Sequence, residues 1–303
     1  MASDTGSTAL EQRGLAPVTL VLICRGLERT MPGLRLDEVA CRLSQRLEGV
    51  SMRVEEGLCH RPRVVKEALA GTHPQRLVLG LCSSDYPQAE VQAHARAADL
   101  NPLGIQAVDL ASCSAGETAG PKAFACAVAV LTAAVARARA FPGSQPENTK
   151  TLLLTSRHKV SRRALFTLPP VSYLPVPTID RGQCTTGEGC DQCVGACPSG
   201  ALEKDGDAIL VNRAACLSCG VCVAACPQRA VEFPGSSPAE LEAQLSALLQ
   251  ADVEPKAVLF LCQHAPATPG PGWLTVRVPC TAAVPVAAIL QALARGATAV
   301  GLS

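Results

Sequence analysis

The middle of this chain carries a run of cysteines that occurs twice, and no other feature constrains the fold as strongly. The second copy reads CLSCGVCVAACP, a C-x2-C-x2-C-x3-C-P pattern, and the first copy differs only in a first gap widened to five residues. Three closely spaced thiolates bind one iron–sulfur cluster, and the fourth thiolate reaches the cluster of the other copy. The duplication therefore predicts two 4Fe–4S clusters that exchange their fourth ligands.

The expected ligand sets follow from this exchange. One cluster takes Cys184, Cys190, Cys193 and Cys226. The other takes Cys216, Cys219, Cys222 and Cys197. A pair of zinc sites is the alternative, because C-x2-C pairs also build tetrahedral sites with four thiolate ligands. Four cysteines per copy, each copy closed by Cys-Pro, exceed what zinc requires, so iron–sulfur clusters are the preferred interpretation.

On these motifs, residues 178–234 resemble the bacterial two-cluster ferredoxins. The resemblance implies a central α+β domain whose chemistry is electron transfer. Residues 142–177, which begin with a proline- and glycine-containing stretch, are predicted as a linker.

The whole chain has sixteen cysteines among 303 residues, a net charge of +1 and 48% apolar residues. Residues 1–16 are polar and are predicted as a disordered tail. They contain no apolar export signal, so we expect the cysteines to be in a reducing compartment. We therefore expect a cytoplasmic protein, which could be peripheral to a membrane complex. The longest apolar run, Ala123–Ala136, is too short to span a bilayer, and no basic surface predicts a nucleic-acid partner.

Residues 17–141 alternate short apolar runs with helix-like stretches, a pattern that predicts a parallel sheet flanked by helices. The predicted strands are residues 18–23, 50–54, 77–81 and 105–110. The predicted helices are residues 36–47, 64–70, 88–100 and 121–140. The fold class expected for the chain is α/β.

Four N-terminal cysteines fall at or after the ends of the predicted strands: Cys24, Cys59, Cys82 and Cys113. The carboxyl ends of parallel strands open on one edge of the sheet, so these thiols could meet there. The alternative is that they are ordinary buried thiols. Cys41 and Cys126 fall inside predicted helices, where cysteine is usually a small buried apolar residue.

This region also resembles the non-flavin portions of the A chain of heterodisulfide reductase, through LVLICRGL, LVLGLCSSDYPQAEVQAHARAADLNPL and DLASCSAGETAGPKAFACAVAVLTAAVARA. The resemblance covers residues 17–140 and implies a third iron–sulfur cluster, which would fit the same four cysteines. That family carries FAD on a G-x-G-x-x-G turn, and this chain has none. We therefore expect no flavin in this chain.

The C-terminal part, residues 235–303, is predicted as a short α/β segment. Its stretches KAVLFLCQHAP and VRVPCTAAVPVAAILQALARGATAVGLS resemble the delta subunit of methyl-viologen-reducing hydrogenase. That family holds a 2Fe–2S cluster, of whose ligands only Cys262 and Cys280 are matched here. Two thiols do not complete such a site, so a docking module is the preferred interpretation. His60 and His264, near cysteines, are further candidate ligands.

Two kinds of function are consistent with these patterns. The first is an electron-transfer subunit that relays electrons between a catalytic partner and another redox subunit or carrier, within a hydrogenase, dehydrogenase or heterodisulfide-reductase-like complex. The second is a catalytic reductase that acts at an N-terminal cluster with one non-cysteine position, and a structural or sensor module is a third alternative. The absence of flavin, nucleotide and acid–base motifs favours the first.

Overall fold

A four-stranded parallel sheet organises the N-terminal unit of the computed structural model, which describes residues 18–114, 120–153, 171–265 and 272–303. Its strands are β1 (Thr19–Cys24), β2 (Val50–Glu55), β3 (Arg76–Leu81) and β4 (Gln106–Asp109), in the order β2-β1-β3-β4. Every pairing is parallel, with Thr19 opposite both Val50 and Arg76. The predicted α/β fold class is confirmed, and the predicted tail over residues 1–16 lies outside the described residues.

Helices cover both faces of this sheet. They are α1 (Leu27–Thr30), α2 (Leu36–Arg46), α3 (Arg63–Ala70), α4 (Gln88–Ala97) and α5 (Pro121–Ala140). Successive side chains of a strand point to opposite faces. Accordingly Val21 and Ile23 pack in the core with α2 and α5, whereas Leu20 and Leu22 pack with α3 and α4.

The central block, which follows in sequence, is built from short antiparallel pairs. Its elements are β5 (Thr149–Leu153), β6 (Val171–Pro175), β7 (Thr178–Ile179), α6 (Gln192–Gly195), β8 (Leu202–Asp205), β9 (Ala208–Val211), α7 (Val221–Ala225) and β10 (Val231–Glu232). The pairs are β5 with β6, β7 with β10, and β8 with β9. The stretch predicted as a linker thus contains the β5–β6 pair.

The C-terminal unit is a second, smaller parallel sheet. Its strands are β11 (Ala257–Cys262), β12 (Trp273–Val278) and β13 (Ala299–Leu302), in the order β12-β11-β13. Its helices are α8 (Pro238–Gln250) and α9 (Val286–Ala294). Helix α8 begins with Pro238 after the N-cap Ser237, whose hydroxyl accepts the Glu240 N–H while the Glu240 carboxylate accepts the Ser237 N–H.

Helices α5 and α8 join the two sheets into one continuous core. Helix α5 packs against β3, β4 and α8, and the apolar cluster around it extends from Val78 in the first sheet to Phe260 and Val276 in the second. Helix α5 has the length and composition of a membrane span, yet 67% of its most apolar window is buried inside the molecule. The two units therefore stabilise each other through shared apolar surface.

One buried arginine reinforces this joint. Arg137 of α5 is 4% exposed, and its guanidinium donates to the Gln244 side chain at 2.8 Å and to the Arg277 carbonyl at 2.9 Å. It also donates to the Gly235 carbonyl. The fully buried Glu240 lies nearby; burial raises the pKa of its carboxyl, an effect that Arg137 opposes.

Replacing Arg137 with methionine should lower the unfolding free energy by about 3 kcal/mol. The substitution leaves the buried Glu240 without its nearby positive charge and several buried carbonyl groups without a hydrogen-bond donor. Differential scanning calorimetry of the metal-loaded protein measures the effect as a fall in Tm. Arg139→Met is the matched control, since Arg139 is exposed on the same helix and should cost less than about 1 kcal/mol. Equal losses in the two variants would contradict the role assigned to Arg137.

The ends of the central block meet the N-terminal unit at one loop. The Phe141 ring packs so closely on Gly104 that a Cβ there would lie 2.8 Å from it. Gly235, at the other end, packs against the Leu103 carbonyl, 3.3 Å from where a Cβ would be. Strand β6 is further fixed to α4, because the Gln92 amide exchanges hydrogen bonds of 3.1 and 3.0 Å with the Tyr173 backbone.

Candidate metal centres

The first group of cysteines in the central block surrounds a single small cavity. Its members are Cys184, Cys190, Cys193 and Cys226. Cys184 and Cys190 lie in the loops before α6, Cys193 lies on α6, and Cys226 follows α7. Four thiols that line one cavity are the donor set of a 4Fe–4S cluster, so these residues fit that group.

A second group surrounds a separate cavity in the same way. Its members are Cys197, Cys216, Cys219 and Cys222. The exchange between copies is visible in the helices, because α6 and α7 pack against each other and each is followed by the cysteine that lines the other helix's cavity. Each cavity is thus lined by the four cysteines of one predicted ligand set.

Backbone N–H groups point at the sulfurs in equivalent places of the two copies. The Ala201 N–H lies 3.2 Å from Cys197 Sγ, and the Ala230 N–H lies 3.3 Å from Cys226 Sγ, four residues along in each case. The Ser218 N–H approaches Cys216 Sγ at 3.4 Å. Such N–H···S contacts stabilise thiolates and raise the reduction potential of a bound cluster.

The electrostatics without iron favour protonated thiols at the most enclosed positions. Burial, followed by the charges of Cys219 and Cys216, raises the pKa of Cys222 to about 12. Burial likewise raises the pKa of Cys193. At Cys197 burial also raises the pKa, but hydrogen bonds from the N–H and hydroxyl of Ser199 and from further N–H groups have the larger effect. The pKa of Cys197 is therefore lowered. Metal binding deprotonates such thiols outright, so the sites need a cation to accommodate four thiolates.

Gly220, at the start of helix α7, allows a close contact with the C-terminal unit. Its φ of +75° lies in the left-handed region, and a Cβ there would lie 3.2 Å from the Ala283 side chain. Ala283 belongs to a short 3-10 turn, Thr281–Ala283, directly after Cys280. Helix α7, which carries Cys222 of the second group, is therefore in contact with a turn of the C-terminal unit.

Residues 176–227 match the family described as a 4Fe–4S dicluster domain. This match confirms the prediction of a two-cluster ferredoxin domain and an iron–sulfur electron-transfer role for the block. No curated protein matches the chain.

Outside the dicluster domain, three N-terminal thiols meet at the carboxyl edge of the first sheet: Cys24, Cys59 and Cys82. Their sulfurs all lie within 4.8 Å of one another. Cys82 Sγ is 3.6 Å from Cys24 Sγ and 3.2 Å from Cys59 Sγ. The fold brings them together because β1 and β3 are adjacent and end at this edge, while Cys59 follows β2.

Hydrogen bonds between these three thiols change their pKa values. Hydrogen bonding from the Cys59 thiol, which outweighs burial, lowers the pKa of Cys24 to about 5. The same bond raises the pKa of Cys59, and burial raises that of Cys82. Gly26 packs closely here, since a Cβ on it would lie 2.9 Å from Cys82 Sγ. One thiolate in a cluster of buried sulfurs is a favourable environment for a thiophilic metal.

Cys113, predicted with this group, does not lie among the three. It forms a disulfide with Cys126 of α5, with the two Cα atoms 5.6 Å apart. No spacing in the chain indicates the pairing, because a separation of 13 residues crosses the junction between a turn and a helix. Cys41, expected to be a small buried residue, is instead exposed, and its sulfur accepts a bond from Gln45 on the same helix.

The C-terminal cysteines also lie at a strand edge, without forming a cluster of ligands among the described residues. Cys262 ends β11, and its Sγ contacts the Pro279 carbonyl at 3.6 Å. Cys280 follows β12. The two candidate histidines, His60 and His264, are exposed, and neither joins a group of metal-binding side chains in the described part of the chain.

Proposed function

We propose that this protein is an electron-transfer subunit of a larger oxidoreductase complex. The observation that carries the proposal is the pair of cysteine groups in the dicluster domain, placed side by side by the contact between α6 and α7. Bound 4Fe–4S clusters would supply reversible one-electron chemistry. The chain itself supplies the thiolates, the N–H groups that stabilise their charge, and the apolar enclosure provided by Phe233 and Val223.

A third cluster is part of this proposal, at Cys24, Cys59 and Cys82. The support is the convergence of their sulfurs, together with the burial of two of them. The C-terminal unit offers the link between the two regions, because β12 packs against the turn Ala111–Cys113 and the turn Thr281–Ala283 packs against α7. The chain needs no flavin of its own for such a relay.

Replacing Gly26 with alanine should weaken metal binding at the N-terminal thiols, because the added methyl group would press on Cys82 Sγ. We expect the iron retained after gel filtration to fall by up to about four atoms per chain. Gly120→Ala is the matched control, since a Cβ at Gly120 meets nothing within 4 Å. Full iron retention in Gly26→Ala would show that these thiols do not hold the metal.

The second candidate function is catalytic reduction at the N-terminal site. One observation favours it: three thiols converge there while Cys113 is bonded to Cys126, so a bound cluster would have a position free for a substrate. Substrate-induced change in the electron paramagnetic resonance signal of the N-terminal cluster would support this candidate over a pure relay.

The partners are proposed to be other subunits of a redox complex, in the cytoplasm or on the cytoplasmic side of a membrane. Leu217 lies between two cysteines of the second group and is 65% exposed, an apolar point where a partner could approach. The test is anaerobic purification from the native source, followed by stopped-flow reduction of the co-purifying protein. Reduction of the partner by the reduced chain supports the relay; an iron-loaded chain that exchanges no electrons with any co-purifying protein contradicts it.

A further inference from the structure

A polar cavity that no cysteine lines lies where the two parallel sheets face each other. It has a volume of about 200 Å³ and is bounded by Leu81 and Asp109, at the carboxyl ends of β3 and β4, and by Thr275 and Arg277 of β12. In open α/β sheets, ligands bind outside the carboxyl ends of the strands. The cavity runs along the edge strand β4 of the first sheet, reaches its carboxyl end at Asp109, and faces the edge strand β12 of the second sheet.

Arg277 brings a positive charge to this cavity. Buried and partly exposed side chains alternate along β12, and this alternation directs Thr275 and Arg277 to the cavity side, opposite the buried Val276. The Arg277 carbonyl is occupied by Arg137, but the Arg277 guanidinium has no hydrogen-bond or ion-pair partner among the described residues. A free guanidinium offers paired N–H donors that match a carboxylate.

Arg137 adds a second, more deeply buried guanidinium to the lining. Four of its contacts are internal, yet its Nε is buried and has no partner in the described part of the chain. A buried N–H without a partner costs stability unless a ligand or water satisfies it. Because this Nε is buried within the protein, the guanidinium available to a ligand in the cavity is that of Arg277.

The other side of the cavity supplies one further donor and one acceptor. Burial, partly offset by Arg277, raises the pKa of Tyr86 to about 12, so its hydroxyl remains a donor at neutral pH. Asp109 accepts the Ala111 N–H at 3.0 Å through one oxygen, and burial raises the pKa of its carboxyl against the effect of Ala111 and Arg277. The Asp109 carboxylate would repel a doubly charged anion.

We propose that this cavity binds a small hydroxy-monocarboxylate, with the ligand carboxylate held by Arg277 and Tyr86 and the ligand hydroxyl donating to Asp109. The volume is below the range that holds drug-sized ligands, so the part of a ligand that enters the cavity is limited to a few carbon atoms. The single charge balances Arg277, and Asp109 in the lining disfavours phosphate. No cysteine lines this site, and it does not depend on the proposed electron relay.

The test is calorimetric titration of the metal-loaded full chain with glycolate and lactate at constant ionic strength, with acetate, phosphate and chloride as further arms. Saturable binding of the hydroxy acids, weaker binding of acetate and none of chloride is the expected order.

Arg277→Gln should weaken binding about tenfold or more, since a charge-assisted pair is lost. Asp109→Asn should weaken glycolate binding more than acetate binding.

Arg295→Gln is the matched control, because Arg295 lies in the same unit but pairs with Glu242 and Ser246 outside the cavity. It should bind glycolate like the unaltered protein, and unchanged iron content and Tm in Arg277→Gln should exclude misfolding. Equal glycolate affinity in Arg277→Gln and Arg295→Gln would overturn the proposal. So would a cavity that holds only water at saturating glycolate in a crystal structure, or tighter binding of phosphate than of the hydroxy acids.

Discussion

Replacing Cys222 with alanine should remove one of the two clusters of the dicluster domain, a loss of about four iron atoms per chain from the about eight expected there. Cys222 is 7% exposed at the start of α7 and lines the second cavity with three other cysteines. Cys222 is buried, so no external ligand can replace its thiolate, and the iron left without a ligand would destabilise the cluster. The N-terminal group differs because Cys82 is only partly buried, so an external ligand can complete a cluster held by three thiolates there. Iron analysis of anaerobically purified protein measures the fall.

Electron paramagnetic resonance gives this prediction a second readout. Two reduced clusters at adjacent helices are close enough for their spins to couple, so the variant should show the uncoupled spectrum of the surviving cluster. Cys41→Ala is the matched control, because Cys41 is exposed on α2 and should leave iron and spectrum unchanged. Unchanged iron in Cys222→Ala, or zinc in place of iron in the unaltered protein, would contradict the assignment.

Replacing Cys82 with serine should have an effect of similar size in the N-terminal unit. Cys82 is the thiol that contacts both of the others, at 3.6 and 3.2 Å, so it is the one whose loss separates the group. The total iron content should fall from about twelve atoms per chain to about eight. Because a metal at this edge ties β1, the loop after β2 and β3 together, the Tm of the unit should fall as well.

Three further cysteine variants make the result interpretable. Cys41→Ser and Cys126→Ser should keep the full iron content, since neither belongs to the converging thiols. Cys113→Ser distinguishes a cluster with three cysteine ligands, whose iron survives, from one that recruits Cys113 after its disulfide with Cys126 is reduced. If Cys82→Ser retains all of the iron, the N-terminal cysteines are structural thiols and the unit is a docking platform.

Local patterns predict the strands and the longer helices of the N-terminal unit well, because each lies in a stretch with clear periodicity, whereas helix α1 and the β5–β6 pair are not predicted in this way. They indicate a helix over residues 121–140 with proline in its first turn, and α5 spans Pro121–Ala140. The convergence of Cys24, Cys59 and Cys82 can also be predicted from the sequence, since the carboxyl ends of parallel strands lie on one edge of the sheet.

Features that depend on tertiary contacts cannot be predicted from local sequence patterns. The disulfide between Cys113 and Cys126 requires the start of α5 to fold back on the turn after β4, which no spacing encodes. The role of Arg137 is equally hidden, because an arginine near the end of a helix is usually a surface residue that interacts with the helix dipole. Its partners are separated from it by 98 residues or more along the chain.

The position of Phe141 and Gly235 on the same loop, Leu103–Gly104, gives the chain an unexpected connectivity. The polypeptide departs from the α/β body and returns to it at neighbouring points, while α5 and α8 on either side of the excursion share a core. The cofactor-binding segment is thus a cassette set into a single α/β body, and a gene rearrangement could exchange it without cutting the body's hydrophobic core.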